Sequence, residues 1–139
     1  MTLRTFSILY GVVFLLAGVA GFVPGLSPDH LHPGLAVTAG SRLAIGLFPV
    51  NILHNLVHLA FGVWGLLAAR SAVSARAYAK AVAIIYAILT VLGLLPGANM
   101  MFGLAPLYGN DIWLHALLTV VAGYFGFMHR ERASGTISN

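Results

Sequence analysis

Between Pro49 and Arg70 the chain reads Pro49-Val50-Asn51-Ile52-Leu53-His54-Asn55-Leu56-Val57-His58-Leu59-Ala60-Phe61-Gly62-Val63-Trp64-Gly65-Leu66-Leu67-Ala68-Ala69-Arg70, with no formally charged side chain before its last residue. Val50–Ala69 has the roughly 20 mainly apolar residues that a helix needs to cross a bilayer. Its polar side chains are ordered: Asn51, His54, Asn55 and His58 stand at i, i+3, i+4 and i+7, which is one helix face. Gly62 and Gly65 continue that face. Lipid offers such groups no hydrogen-bond partners, and each one left unsatisfied is costly. The stripe therefore has to face other helices, and the segment predicts a membrane protein made of packed helices.

The rest of the sequence agrees. Of 139 residues, 60% are hydrophobic and 7% charged, with a mean hydropathy of +0.95. A soluble domain carries about 25% charged residues, so there is too little polar surface here to cover a globule in water. The length allows one domain. No cysteine is present, which excludes disulfides, thiolate metal sites, iron–sulfur clusters and a thiol nucleophile together. The net charge of +4 comes from dispersed cations and makes no nucleic-acid surface.

Three further segments match the first in length and character. The predicted spans are 5–23, 50–69, 77–95 and 111–128, an all-α integral membrane four-helix bundle. Pro24-Gly25 closes the first and Pro96-Gly97 the third, while Asn110 and Asp111 open the fourth with N-cap chemistry. Ser71–Arg76 reads as a short loop, Ser41–Phe48 as a short amphipathic helix lying in the interface, and Gly97–Gly109 as a loop folded against the bilayer surface. Ala133–Asn139 reads as a solvated tail. Gly11, Gly18 and Gly25 recur at heptad spacing, which suits close helix packing within the chain or in a homo-oligomer. This spacing and the length of the first span favour a retained helix over a cleaved signal peptide.

The cations orient the spans. Arg4, Arg70, Arg76, Lys80, Arg130 and Arg132 fall on one side and only Arg42 on the other. The positive-inside rule then puts both termini in the cytoplasm of a multi-pass protein of the bacterial inner membrane. Tyr78 is expected at the inner interface, Tyr108 and Trp113 at the outer one, and Lys80 snorkels to the inner surface.

The fourth span repeats the polar design of the second: Asp111, His115 and Thr119 are four apart, followed by Gly123 and Gly126. His54 and His115 lie at matching depth, each about 6 Å inside its helix. A metal ion bound by His54, His58, His115 and Asp111, with Asn51 and Asn55 orienting the ligands, is the leading reading. Zinc, copper and iron all accept imidazole, and Met100 or Met101 would favour copper. Haem b is the alternative cofactor, held between His58 and His115 with Gly62, Gly65 and Gly123 leaving room for the ring. The competing reading has no ligand: the His and Asn side chains form a network that only specifies helix packing in a structural or interaction subunit of a membrane complex. A zinc enzyme would need a substrate groove, which the sequence does not show. Tyr86 and Thr90 lie nearer the middle of the third span; His30 and His32 read as residues of a solvated loop, and Trp64 as packing.

The stretch Phe48-Pro49-Val50-Asn51 through His54-Asn55 to His58, with Gly21-Phe22-Val23-Pro24-Gly25 and Asn110-Asp111 through Leu114-His115, resembles a bacterial family of small four-span membrane proteins classed as a domain of unknown function. The likeness extends from about Ser7 to Phe127. It implies an integral membrane protein and no particular activity.

Overall fold

The computed structural model describes residues 1–131; Arg132 and the expected tail Ala133–Asn139 lie outside the described residues. Four helices carry the chain: α1 (Leu3–Ala20), α2 (Ile52–Ala68), α3 (Ala72–Leu94) and α4 (Asn110–Gly123), the last continued by a π-helical turn at Tyr124–Met128. A small hairpin, β1 (Arg42–Ala44) with β2 (Phe48–Val50), precedes α2. α1, α3 and α4 with its π turn are each long and apolar enough to cross a membrane. α2, with 17 residues, is shorter, about 25 Å at 1.5 Å per residue. Three helices of this length and composition suggest a membrane protein.

Local chemistry sets the helix limits. α2 begins at Ile52 because Asn51 is extended (φ −140°, ψ 179°) and its side chain accepts a hydrogen bond from the His54 N–H, while Val50 is held in the hairpin opposite Arg42. α3 begins earlier than expected. Ser71 caps it by accepting from the Ser74 N–H, so Ala72–Arg76 is helical and only a tight turn joins α2 to α3. Asn110 and Asp111 do not cap α4; Gly109, at φ 67°, precedes the helix, and the Asn110 amide reaches the Leu47 carbonyl at 3.4 Å instead.

The helices alternate in direction. One end, the turn end, gathers the start of α1, the α2–α3 turn and the end of the π turn. There Arg4 donates to the Ala69 carbonyl (2.8 Å), the Glu131 carboxylate accepts from the Leu3 N–H (2.6 Å), and Arg76 donates to the His129 carbonyl (2.9 Å). The opposite, loop end carries the two long connections.

α1 packs most closely on α2, and α3 on α4. The α1–α2 seam is a backbone-to-backbone approach. A Cβ on Gly11 would stand 2.9 Å from the Gly62 carbonyl oxygen, and one on Gly18 would stand 2.9 Å from that of Asn55. Within hydrocarbon such small-residue contacts are a main source of helix association, because burying apolar surface gains little there. The spacing of Gly11 and Gly18 thus serves contacts inside the chain, and Gly25 meets nothing within 4 Å. Between the helix pairs lie Phe6, Phe14, Tyr78, Val82, Tyr86, Ala122 and Phe125. Phe6 stacks on Phe125 with ring centroids 4.6 Å apart, tying α1 to the π turn. Tyr78 is fully buried and donates to the Phe61 carbonyl, so it is a core residue rather than an interfacial one. Lys80 is exposed, with its ammonium 5.4 Å from the Phe127 ring centroid.

At the loop end the structure departs furthest from expectation. The segment expected to be an interfacial helix is the β1–β2 hairpin, in register Arg42↔Val50 and Ala44↔Phe48. Ile45 and Gly46 both take positive φ (48° and 71°) to close it; Gly46 and Pro49 disfavour a helix here. His32 is buried rather than solvated, hydrogen-bonded to the Tyr108 hydroxyl and to the Arg42 carbonyl. The Gly97–Gly109 loop is tied to the first connection: the Gly103 carbonyl accepts from the N–H groups of Ala36 and Val37.

Candidate functional site

α2 carries His54 and His58 one turn apart, and α4 carries Asp111 and His115 one turn apart. Although α2 and α4 are not a closely packed pair, their side chains meet across the interior at the loop end. His54 and His58 have ring centroids 4.6 Å apart, and His54 and His115 are 6.1 Å apart. One ring nitrogen from each of the three histidines falls in a group whose members all lie within 4.8 Å of one another. Asp111 stands beside this group, its Oδ2 3.4 Å from Nε2 of His115. All four residues are buried: His54 is 5% exposed, His58 7%, His115 1% and Asp111 1%.

Five polar atoms of the cluster are unpaired. Nδ1 of His54, Nδ1 of His58, both ring nitrogens of His115 and Oδ2 of Asp111 have no hydrogen-bond partner. Each buried orphan costs on the order of 1–3 kcal/mol, and the large majority of buried side-chain polar atoms in proteins are paired. Within the protein, these side chains do not fully satisfy one another. Aromatic rings frame the cluster. Phe14 lies nearly parallel to His58 with centroids 5.8 Å apart, and Tyr86 meets His115 edge-on at 4.8 Å. Sequence reading noted Tyr86 only as a residue near the middle of α3, and it passed over Phe14, which periodicity cannot tell from any other core aromatic.

Other residues expected at the site have different positions or partners. Asn51, besides capping α2, donates its amide to the carbonyls of Val37 (2.9 Å) and Leu104 (2.7 Å). It fastens both loops to the helix rather than orienting a histidine. Asn55 abuts the end of α1, where Gly21 leaves it room, and its Oδ1 is unpaired. Thr119 and Thr90 return their hydroxyls to their own helices, at the His115 and Tyr86 carbonyls. Gly62 and Gly65 face α1, with Gly11 and Leu15 against them, whereas a Cβ on Gly123 would meet only the Ala83 Cβ, at 3.9 Å. Gly62 and Gly65, filled by α1, leave no slot for a porphyrin. The open space beside the cluster is a cavity of about 130 Å³, below the range of about 300–1,000 Å³ of small-molecule and cofactor sites. Haem does not fit. Met100 packs beside Gly34 in the loops.

The match to known families is decided by residues 4–128, which fit the model of the Domain of unknown function (DUF4383). The chain belongs to this family. No curated protein and no solved structure matches it. For this DUF4383 chain, membership bears out the likeness to a domain of unknown function and brings no activity with it. What the histidine cluster does has to come from its own chemistry.

Proposed function

We propose that this protein is an integral membrane metal-binding protein, with His54, His58 and His115 holding one divalent transition-metal ion and zinc the best-suited occupant. The supporting observation is the set of unpaired, buried imidazole nitrogens gathered within 4.8 Å. Tetrahedral zinc with Zn–N bonds of about 2.0–2.1 Å separates its ligand nitrogens by roughly 3.3 Å. The cluster reaches that spacing by a contraction of up to about 1.5 Å. The ion would satisfy one nitrogen on each ring, which removes the cost that a purely structural network leaves in place.

Asp111 then accepts from Nε2–H of His115, which leaves Nδ1 as the ligand atom, the carboxylate–histidine–metal arrangement common around bound metals. Three protein ligands leave a fourth position open, the pattern of a zinc that handles water or another small ligand rather than a closed structural site. Arg4, Arg70, Arg76, Lys80 and Arg130 belong to the turn end and Arg42 to the loop end. The positive-inside rule therefore supports cytoplasmic termini and a site just below the outer surface of a bacterial inner membrane.

Elemental mass spectrometry on protein purified in mild detergent tests this reading. About one equivalent of zinc is expected, retained through dialysis and lost from His58→Ala and His115→Ala while both variants keep their helical content. Metal-free wild-type protein that also fails to take up added zinc, or variants that retain the metal, would overturn it.

A further inference from the structure

The turn end, opposite the histidine cluster, carries a groove built from both extremes of the described chain. Arg4, Thr5 and Ile8 of α1 line one side, and His129, Arg130 and Glu131 line the other, around a space of about 780 Å³. The Glu131 carboxylate accepts from the Leu3 N–H at 2.6 Å. That bond fastens the segment after the π turn to the start of α1 and holds Arg130 over the same groove as Arg4.

The two arginines are available to a ligand. Arg4 spends only its Nε–H, on the Ala69 carbonyl at 2.8 Å, which fixes the guanidinium and leaves both terminal amino groups. Neither ion pair among the described residues involves Arg4 or Arg130. Arg76 makes the contrast: it donates to the carbonyls of Phe125, Gly126 and His129. Two guanidinium groups against one carboxylate favour an anion, and guanidinium matches the oxygens of a phosphate in geometry as well as charge.

The apolar wall narrows the choice of anion. Ile8 is exposed, and it lies four residues beyond Arg4, about 6 Å deeper along the helix. Exposed Val12 and Leu16 carry the same apolar track further along α1. A cationic mouth one turn above a hydrocarbon track matches a phosphate head with an acyl chain attached. Free phosphate would use only the mouth. Basic pockets between membrane helices on the cytoplasmic side bind anionic headgroups in this way.

We infer that this groove is a binding site for one anionic phospholipid of the inner leaflet, its phosphate held by Arg4 and Arg130 and an acyl chain laid along Ile8, Val12 and Leu16. The inference rests on the membrane orientation read above and not on the metal site, which lies at the other end.

The test uses the full chain in detergent, with phosphatidylglycerol and phosphatidylcholine of identical chains as probes and native mass spectrometry as readout. Salt is kept at about 0.15 M, where charges more than about 8 Å apart are largely screened. One retained phosphatidylglycerol is expected, bound at least ten times more tightly than phosphatidylcholine. Arg130→Gln alters an exposed side chain and is expected to weaken binding about fivefold, the worth of one basic residue at an anionic membrane surface, with melting temperature unchanged. Arg4→Gln is expected to weaken it at least as much; if it does not fold, Arg130→Gln decides alone. Arg70→Gln removes the same charge from the same end outside the groove and is expected to bind as wild type. Equal affinity for the two lipids, equal loss in Arg70→Gln and Arg130→Gln, or displacement of the lipid by excess glycerol phosphate would overturn the site. None of these readouts involves zinc, so a failed metal assay leaves the result standing.

Discussion

Replacing Asn51 by alanine should be among the most damaging single changes at the loop end, and its size follows from three hydrogen bonds. The side chain is fully buried. Its oxygen accepts from the His54 N–H at 2.9 Å, and its amide donates to the Val37 and Leu104 carbonyls at 2.9 and 2.7 Å. Losing an N-cap costs about 1 kcal/mol, and each carbonyl left without its donor costs about 1–3 kcal/mol when it cannot reach water. Both carbonyls belong to loops that can partly rehydrate, so the lower part of that range applies. The expected total is about 3–4 kcal/mol. Asn51→Ser keeps the capping oxygen and loses both amide bonds, so it should recover about 1 kcal/mol of the loss. Unfolding in mixed micelles with increasing dodecyl sulfate gives both values on one scale. Hydrogen exchange should localise the change to residues 30–45 and 99–108. A cost below about 1 kcal/mol for Asn51→Ala, or a serine variant no more stable than the alanine variant, would refute the reasoning.

Other consequences follow from particular contacts. Gly11→Val should destabilise by about 2–3 kcal/mol, because its Cβ would lie 2.9 Å from the Gly62 carbonyl, whereas Gly25→Ala, with nothing within 4 Å, should change little; the same micelle titration compares them. Burial depresses the His32 pKa, more than its hydrogen bond to the Arg42 carbonyl restores. The unfolded chain thus binds a proton more readily, so the contribution of His32 to stability is present above the usual histidine value of about 6.5 and is lost as pH falls below it. Protection from hydrogen exchange in residues 30–45, corrected for the intrinsic slowing of amide exchange in acid, should fall between neutral and mildly acidic pH, and His32→Gln should flatten that dependence. Arg76→Ala removes the donors to the carbonyls of Phe125, Gly126 and His129. It should cost about 1.5–3 kcal/mol and speed exchange in residues 124–129.

The polar stripe of α2 was legible because its signal is local: four residues at helical spacing, inside a run with no other polar side chain. The expected matching depth of His54 and His115 pointed to their pairing, although His54 is the third residue of α2 and His115 the sixth of α4. Helix pairing was not. Gly62 and Gly65 share a face with the histidines by count alone, yet that face is wide enough for α1 to cover its glycine half while α4 approaches only the histidines. The hairpin was hidden because its strands are three residues each, too short for an alternation to register. Ile45 at positive φ is also a conformation that no β-branched residue announces. His32 looked like a loop residue because nothing local marks the distant Tyr108 as its partner. The early start of α3 did leave a trace, in the capping Ser71, but the arginines at 70 and 76 made the segment read as a charged loop.

The central claim is that three imidazoles meet on one ion, and X-ray absorption at the zinc edge of the purified, zinc-loaded protein tests it most directly. The account predicts a shell of about four light ligands at about 2.0–2.1 Å, with multiple scattering from three imidazole rings that falls to two in His58→Gln. A first shell of oxygens alone, or an imidazole signal unchanged by that substitution, would contradict it.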